Sequence, residues 1–133
     1  MSSFEPGGRQ ISPRLAARTH TDPNGEPIFD LHGEAREFES GRVNWLRRDP
    51  AWQDRTGFRG AQDVESPYGG WTRLEVIADG DRITNVVNGT VVNEATRSTF
   101  TEGRILLQSE GAEVYFRRVD LEPLPGRAPR GPS

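Results

Sequence analysis

The sequence predicts an all-β protein whose core is an antiparallel meander in residues 71–124. This stretch contains 15 of the 22 Val, Ile and Leu residues but only one of the ten prolines. Its short β-rich runs alternate with Asp-Gly, Asn-Gly and Glu-Gly turn signals, a pattern typical of hairpin-connected strands. No segment has a sustained 3.6-residue periodicity, so no helix longer than two turns is expected there.

About five strands are predicted in this meander. They cover residues 73–78, 82–87, 90–94, 103–108 and 113–122. Asn88-Gly89 separates two of them, and this dipeptide predicts a two-residue hairpin, most simply of type I′. In the first strand Leu74, Val76 and Ala78 share one face, which needs apolar cover.

The residues before the meander are polar and interrupted by Pro and Gly. Asp22-Pro23-Asn24-Gly25 is a strong turn signal. Short strands are expected at 28–31 and 36–39, and residues 11–17 are expected to form a strand or a helical turn. Asp49 followed by Pro50 predicts one helical turn with Asp49 as its N-cap. The rest of residues 32–70 is expected to form a long folded surface loop, a common location for function.

Composition excludes several classes of protein. A net charge of −3 and a pI of about 5.4 argue against a nucleic-acid or membrane-surface partner. Without cysteine there is no disulfide and no thiolate metal site. No apolar run is long enough to span a membrane, and the start MSSFEPGGRQ lacks the apolar region of a secretory signal. Localisation therefore stays undetermined by the sequence.

All 17 basic residues are arginine. Arginine forks suit sugar hydroxyls and carboxylates better than lysine does. Codon usage in a GC-rich bacterial genome explains the same bias without any function, and it is the simpler interpretation.

Two segments carry a family resemblance. WTRLEVIADGDRITNVVNGTVVNEA and GRILLQSEGAEVYFRRVDLEPL resemble the C-terminal half of the bacterial 3-keto-disaccharide hydrolase domain family. The resemblance covers roughly residues 26–124 and implies a concanavalin A-like (laminin G-like) jelly-roll sandwich of two antiparallel sheets. Family members carry further strands before this region, so the expectation is a sandwich truncated at its N-terminus. The expected parts are an irregular remnant at 1–25, the domain at 26–124 and a disordered tail at 125–133.

The resemblance also implies cleavage of the glycosidic bond of an oligosaccharide or 3-keto-glycoside. No cofactor is expected. Hydrolysis often uses two carboxyl groups across the bond. Elimination needs one base and an oxyanion donor, because the ketone acidifies the proton on C2. The alternative is a non-catalytic carbohydrate-binding or structural module on the same fold, since a fold does not determine function.

Candidate site residues follow from side-chain chemistry and position. The candidate catalytic carboxylates are Glu110, Glu65 and Asp63, and the candidate substrate-binding residues are Gln108, Arg117, Arg59, Trp45 and Trp52. The tryptophans can stack on a pyranose ring. Each residue also has a purely structural interpretation: a solvated turn carboxylate, a surface or loop ion pair, or a small core that holds the loop.

His20 and His32 are the only histidines. A metal site with Asp30 and Glu34 is conceivable, but the spacing matches no metal-binding motif. We therefore predict ordinary loop histidines and no metal site.

The small number of apolar residues before position 71 predicts that one face of the meander sheet is not covered. The meander needs cover for residues such as Leu74, Val76, Leu106 and Val119, but only seven Val, Ile and Leu residues precede it. We expect an exposed apolar face on the meander. The chain either forms a homodimer through this face or is only marginally stable.

Overall fold

The computed structural model describes residues 3–4, 10–39 and 42–126. All regular structure in these ranges is β, with no helix, which confirms the predicted all-β class. The strands are β1 Ser3–Phe4, β2 Gln10–Ile11, β3 Arg14–Thr21, β4 Pro27–Phe29, β5 Glu34–Glu39, β6 Leu74–Asp79, β7 Arg82–Val87 and β8 Thr90–Ala95. The expected tail from residue 127 on, and part of the expected N-terminal remnant, lie outside the described residues. No described segment forms a helix able to cross a membrane.

The first three-stranded sheet has the order β4-β3-β5, with antiparallel neighbours. The predicted turn joins β3 to β4: the Asp22 carboxylate accepts hydrogen bonds from the backbone N–H groups of Asn24 and Glu26, at 2.8 and 2.9 Å. Gly25 has a φ of 81°, which glycine adopts without steric cost. The strands expected at 28–31 and 36–39 correspond to β4 and β5, and the segment expected at 11–17 corresponds to β3.

The second sheet has the order β6-β7-β8 and contains two tight hairpins. Asn88 and Gly89 have φ values of 47° and 83°, so their turn is of type I′ as predicted. Gly80 in the other turn has a φ of 60°, which fits glycine at the first position of a type II′ turn. A bulge in β8 leaves Val92 as the extra residue, and its side chain is fully buried.

Backbone hydrogen bonds connect the two sheets at two places. Ala16 of β3 exchanges two N–H to carbonyl bonds, both 2.8 Å, with Thr96, which follows β8, and a second segment lies between β4 and β8. We call residues 43–46 the bridging segment. The Asn44 N–H donates to Pro27 O and the Asn44 carbonyl accepts from Phe29 N–H, both at 2.9 Å, while the Leu46 N–H donates to Val92 O at 2.9 Å. The buried apolar residues come from both sheets: Ala17, Ile28, Phe29, Val87 and Val92. This small core agrees with the low apolar fraction of 32%.

The prediction of the last two strands is wrong. Residues 103–108 and 113–122 form no strand, although apolar and polar side chains alternate in part of the second segment. The chain divides into two units, Met1–Thr101 and Glu102–Ser133, and the second contains no paired backbone among its described residues. Alternation describes a side-chain pattern, but a strand also requires a neighbouring backbone to satisfy its N–H and C=O groups.

The helical turn predicted at Asp49 is instead an isolated turn. The Trp52 N–H donates to Asp49 O at 2.9 Å, and the Ala51 N–H donates to the Asp49 carboxylate at 2.9 Å. These bonds form an isolated side-chain-capped turn. Asp49 therefore caps the segment as expected, but no helix follows it.

The apolar face of β6 is exposed. The register pairs Leu74 with Val87 and Ala78 with Ile83, which places them on one face with Val76. Val87 is fully buried, but Leu74, Val76 and Ile83 are 54%, 60% and 38% exposed. The exposure that the sequence indicated is therefore present at the β6 side of this sheet.

Gly33 allows a close approach between the turn after β4 and the backbone of β3. A Cβ at this position would lie 2.4 Å from the Thr19 carbonyl oxygen. We expect Gly33→Ala to lower the free energy of unfolding by about 1–3 kcal/mol, as overpacking typically does. Chemical denaturation followed by circular dichroism measures this change. Gly103→Ala is the control, since a Cβ there meets nothing within 4 Å. Equal stability of the two variants would contradict the prediction.

Candidate active site

A groove of the first unit lies between the end of β3 and the residues that follow the bridging segment. Its volume is about 450 Å³, within the range of small-molecule sites. Ile28 and Leu46 provide apolar lining, and His20, Asp22 and Arg47 provide polar groups. The groove thus combines an apolar surface with a few convergent polar side chains.

His20 is held by a carboxylate. Its Nδ1 lies 3.0 Å from Asp30 Oδ2. The pairing of β3 with β4 produces this contact: His20 is opposite Ile28, and the Asp30 N–H donates to Arg18 O at 3.0 Å, so Asp30 lies diagonally across from His20 on the same face. The imidazole is about half exposed and lines the groove.

The surroundings of Asp30 favour its charged form. The backbone N–H of His32 donates to Asp30 Oδ1 at 2.9 Å and lowers the pKa of Asp30, although partial burial acts in the opposite direction. The hydrogen bond and charge of His20 lower this pKa further. A carboxylate can only accept, so the proton of neutral His20 must lie on Nδ1. Its Nε2 is then the basic nitrogen.

Two arginines form the opposite wall. Arg47 and Arg48 both line the groove. Arg47 has a φ of 65°, a left-handed conformation that is uncommon for a non-glycine residue. The Arg48 guanidinium lies 4.9 Å from the centre of the Trp52 ring, a cation–π distance. The Asn24 side chain donates to Pro50 O at 2.8 Å and ties this wall to the β3–β4 turn.

The carboxylates of the groove wall have structural partners. Asp22 Oδ1 accepts two backbone N–H groups, and Asp49 accepts from Ala51 and from Ala61, the latter at 3.3 Å. Asp22 Oδ2 is buried and has no hydrogen-bond partner in the part of the chain that the structure describes. The buried Asp22 therefore leaves one polar atom at this wall whose hydrogen-bonding capacity is unused.

The predicted residues Asp63, Glu65 and Arg59 lie in the loop before β6. The Asp63 carboxylate accepts from the Gly60 N–H at 2.6 Å, and Arg59 donates to the Asp63 carbonyl at 3.5 Å. Glu65 is half-buried in the same loop. Asp63 therefore stabilises the loop, and its catalytic role stays a prediction, as do the roles of Glu65 and Arg59.

The two predicted tryptophans differ in exposure. Trp45 belongs to the bridging segment and is half-buried. Trp52 is 45% exposed and lies against Arg48. Of the two, Trp52 has the greater free ring surface for stacking on a sugar.

The remaining predicted residues belong to the second unit. Gln108 donates to Glu110 at 2.7 Å, and both side chains are exposed, as is that of Arg117. Other exposed side chains form ion pairs: Glu75 pairs with Arg73 at 2.7 Å, and Arg118 pairs with Asp120. The proposed sugar-binding roles in this unit stay predictions.

Sequence reasoning treated His20 as a loop residue and missed its pairing with Asp30. A usable signal was present: the Asp-Pro-Asn-Gly turn predicts a hairpin, which brings the segments on its two sides, with residues 20 and 30, next to each other. Among the described residues, no group of three or more His, Cys, Asp or Glu side chains is arranged to hold a metal ion.

Comparison with known proteins identifies the family. No curated protein and no solved structure matches the chain significantly. A family described as "3-keto-alpha-glucoside-1,2-lyase-like domain" matches residues 19–122, well over half of the chain, and the match includes His20 and Asp30. This agrees with the resemblance in the meander and with the concanavalin-like all-β fold. The chain therefore belongs to the 3-keto-disaccharide hydrolase family, whose domain is described as 3-keto-alpha-glucoside-1,2-lyase-like.

Proposed function

We propose that this protein is a lyase that cleaves 3-keto-glycosides by elimination, with His20 as the general base. The observation that carries the proposal is the 3.0 Å contact between His20 Nδ1 and Asp30 at the groove. It leaves Nε2 as the basic atom, in a groove whose other wall carries two guanidinium groups. Family membership supports the substrate class.

In the first step, His20 Nε2 removes the proton from C2 of the sugar. The electron pair of the broken C2–H bond moves into the C3 carbonyl and forms an enolate. A ketone next to C2 makes this proton acidic enough for a positioned base. The imidazolium that forms is stabilised by the Asp30 carboxylate, whose charged form its surroundings favour by lowering its pKa.

In the second step, the enolate electron pair returns to form the C1=C2 double bond. The bond between C1 and the glycosidic oxygen breaks, and that oxygen leaves with a proton. His20 is a suitable proton source, since it holds the proton taken from C2. The products are a 2-hydroxy-glycal that retains the 3-ketone, and the released alcohol.

The guanidinium groups of Arg47 and Arg48 supply the stabilisation that the enolate requires. Donors directed at an oxygen where negative charge develops typically contribute about 10²- to 10³-fold in rate. Trp52 holds Arg48 through its ring face, and so orients one of these donors. The left-handed backbone at Arg47 is the kind of strain that is often retained at functional positions.

The partners of the groove carboxylates favour elimination over hydrolysis. Hydrolysis often uses two carboxyl groups, one on each side of the bond. Both oxygens of Asp49 and one oxygen of Asp22 already accept backbone N–H groups. A single histidine base with arginine donors suits the proton abstraction better.

A carbohydrate-binding module without catalysis is the second candidate. The exposed ring of Trp52 beside the arginine wall favours it, because such a ring can stack on a pyranose. Saturable binding of a 3-keto-glycoside without any product would support this role.

We expect His20→Gln to lower the rate of glycal formation from a 3-keto-α-glucoside by about 10²- to 10⁴-fold, as is typical for loss of a general base. Release of the unsaturated ketone is followed by ultraviolet absorbance. A substrate deuterated at C2 should react more slowly with the unaltered protein. Hydrolysis would instead release a 3-keto sugar that retains its C2 hydrogen.

The matched control is His32→Gln. His32 is the other histidine, and its hydrogen bond to Asp30 comes from its backbone N–H, which the substitution keeps. This variant should retain activity. Unchanged activity of His20→Gln, or equal losses in both variants, would contradict the assignment of His20.

Asp30→Asn should lower kcat by a larger factor than it changes KM. The same substitution should change the free energy of unfolding in a pH-dependent way. Because the pKa of Asp30 is lower in the folded protein, its stabilising effect is fully present above the pKa of an unfolded Asp, about 3.9. That effect is lost as the pH falls through the lowered folded value. The difference in free energy of unfolding between the unaltered protein and Asp30→Asn should therefore shrink as the pH falls below about 4. Urea titrations from pH 2 to 5 measure it, and a difference that stays the same or grows below pH 4 would refute this electrostatic role.

A further inference from the structure

The outer strands of the two three-stranded sheets differ in how their edges are protected. The bridging segment covers β4 through Asn44 and β8 through Leu46. The edge of β5 is charged, with Glu34, Glu37 and Glu39 along six residues. Charged side chains on an edge strand discourage pairing with another chain. The edge of β6 has neither a bridging segment nor this charge density.

The composition of β6 suits pairing with another strand. Its sequence LEVIAD contains no lysine and no proline, the residues that commonly protect an edge. Leu74, Val76 and Ile77 are 54%, 60% and 37% exposed. No backbone hydrogen bond reaches the outer edge of β6 from any described residue.

We propose that a second copy of this chain pairs with β6 in an antiparallel arrangement around a two-fold axis at Val76. The two sheets then join into one sheet of six strands, three from each copy. Isologous pairing of this kind is the usual geometry of a dimer, because each copy offers the same surface to the other. Main-chain hydrogen bonds supply part of the affinity, as in other cases of strand addition.

Charge complementarity selects this register. With Val76 opposite its copy, Arg73 faces Asp79 of the second copy at both ends of the interface. Moving the axis to Glu75 would place two Glu75 carboxylates opposite each other, and moving it to Ile77 would place Glu75 opposite Asp79. Like charges directly opposite across strands are destabilising. An axis between two residues, for example between Glu75 and Val76, would place the apolar face of one copy beside the polar face of the other.

The same register makes the exposed apolar face continuous. Leu74 of each copy lies opposite Ala78 of the other, with the two Val76 side chains at the centre. Ile83, opposite Ala78 on β7, extends this face within each copy. The dimer therefore joins the two exposed faces into one surface and hydrogen-bonds the two open edges.

Sedimentation velocity of the full chain over a range of concentrations tests the proposal. The unaltered protein should show a reversible monomer–dimer equilibrium. Val76→Arg places two like charges at the axis and should raise the dissociation constant at least about tenfold, since such a pair is directly opposed. Arg36→Glu, a charge reversal at an exposed position on β5, should leave it unchanged.

A charge exchange identifies the register. Arg73→Asp and Asp79→Arg should each weaken the dimer, and the double variant should recover much of the affinity. Both residues also have interactions within their own chain, so circular dichroism must show that each variant folds. A monomer at every concentration would overturn the proposal, and would mean that another part of the chain or a different partner covers β6. A dimer that is insensitive to Val76→Arg, or no recovery in the folded double variant, would also overturn it.

Discussion

The backbone hydrogen bonds that join the two sheets, through the bridging segment and between Ala16 and Thr96, are the constraint on which the first unit depends. Few apolar side chains are buried, so packing alone provides a limited connection between the sheets. The bridging segment bonds to β4 at Asn44 and to β8 at Leu46. The buried Asn44 side chain also donates to Glu26 and to Pro27 O, at 3.3 and 3.2 Å. Because buried polar groups must be paired, this segment can take only one position.

The groove is a consequence of that position. The residues that follow the bridging segment form its arginine wall, and the end of β3 forms the opposite wall. Strand alternation gives β3 both a structural and a chemical face: Ala17 and Thr19 are buried, whereas Arg18 and His20 face outward. The proposed base is therefore mounted on a rigid strand with a core behind it. Such mounting favours the precise orientation that proton transfer requires.

The two open sheet edges show how similar strands acquire different roles. β5 and β6 each have six residues and one unpaired edge among the described strands. β5 has three glutamates among its six residues, and charge on an edge discourages pairing with another chain. β6 has exposed apolar residues, follows Arg73 and ends at Asp79, and the proposed pairing of two copies rests on this arrangement. Edge chemistry, more than strand length, decides which surface is available to a partner.

Local sequence alone determined the turns and the hairpins of this protein. Asn88-Gly89 and Asp22 to Gly25 form their predicted turns because positive φ angles and side-chain caps are properties of the residues themselves. The exposed face of Leu74 and Val76 followed from period-2 alternation. Tertiary structure decided the rest. Residues 103–108 and 113–122 were predicted as strands from their side chains, but they form no strand with the described residues. His20 acquired its carboxylate only through the register of β3 with β4, because a hydrogen bond between residues ten positions apart depends on how the chain returns.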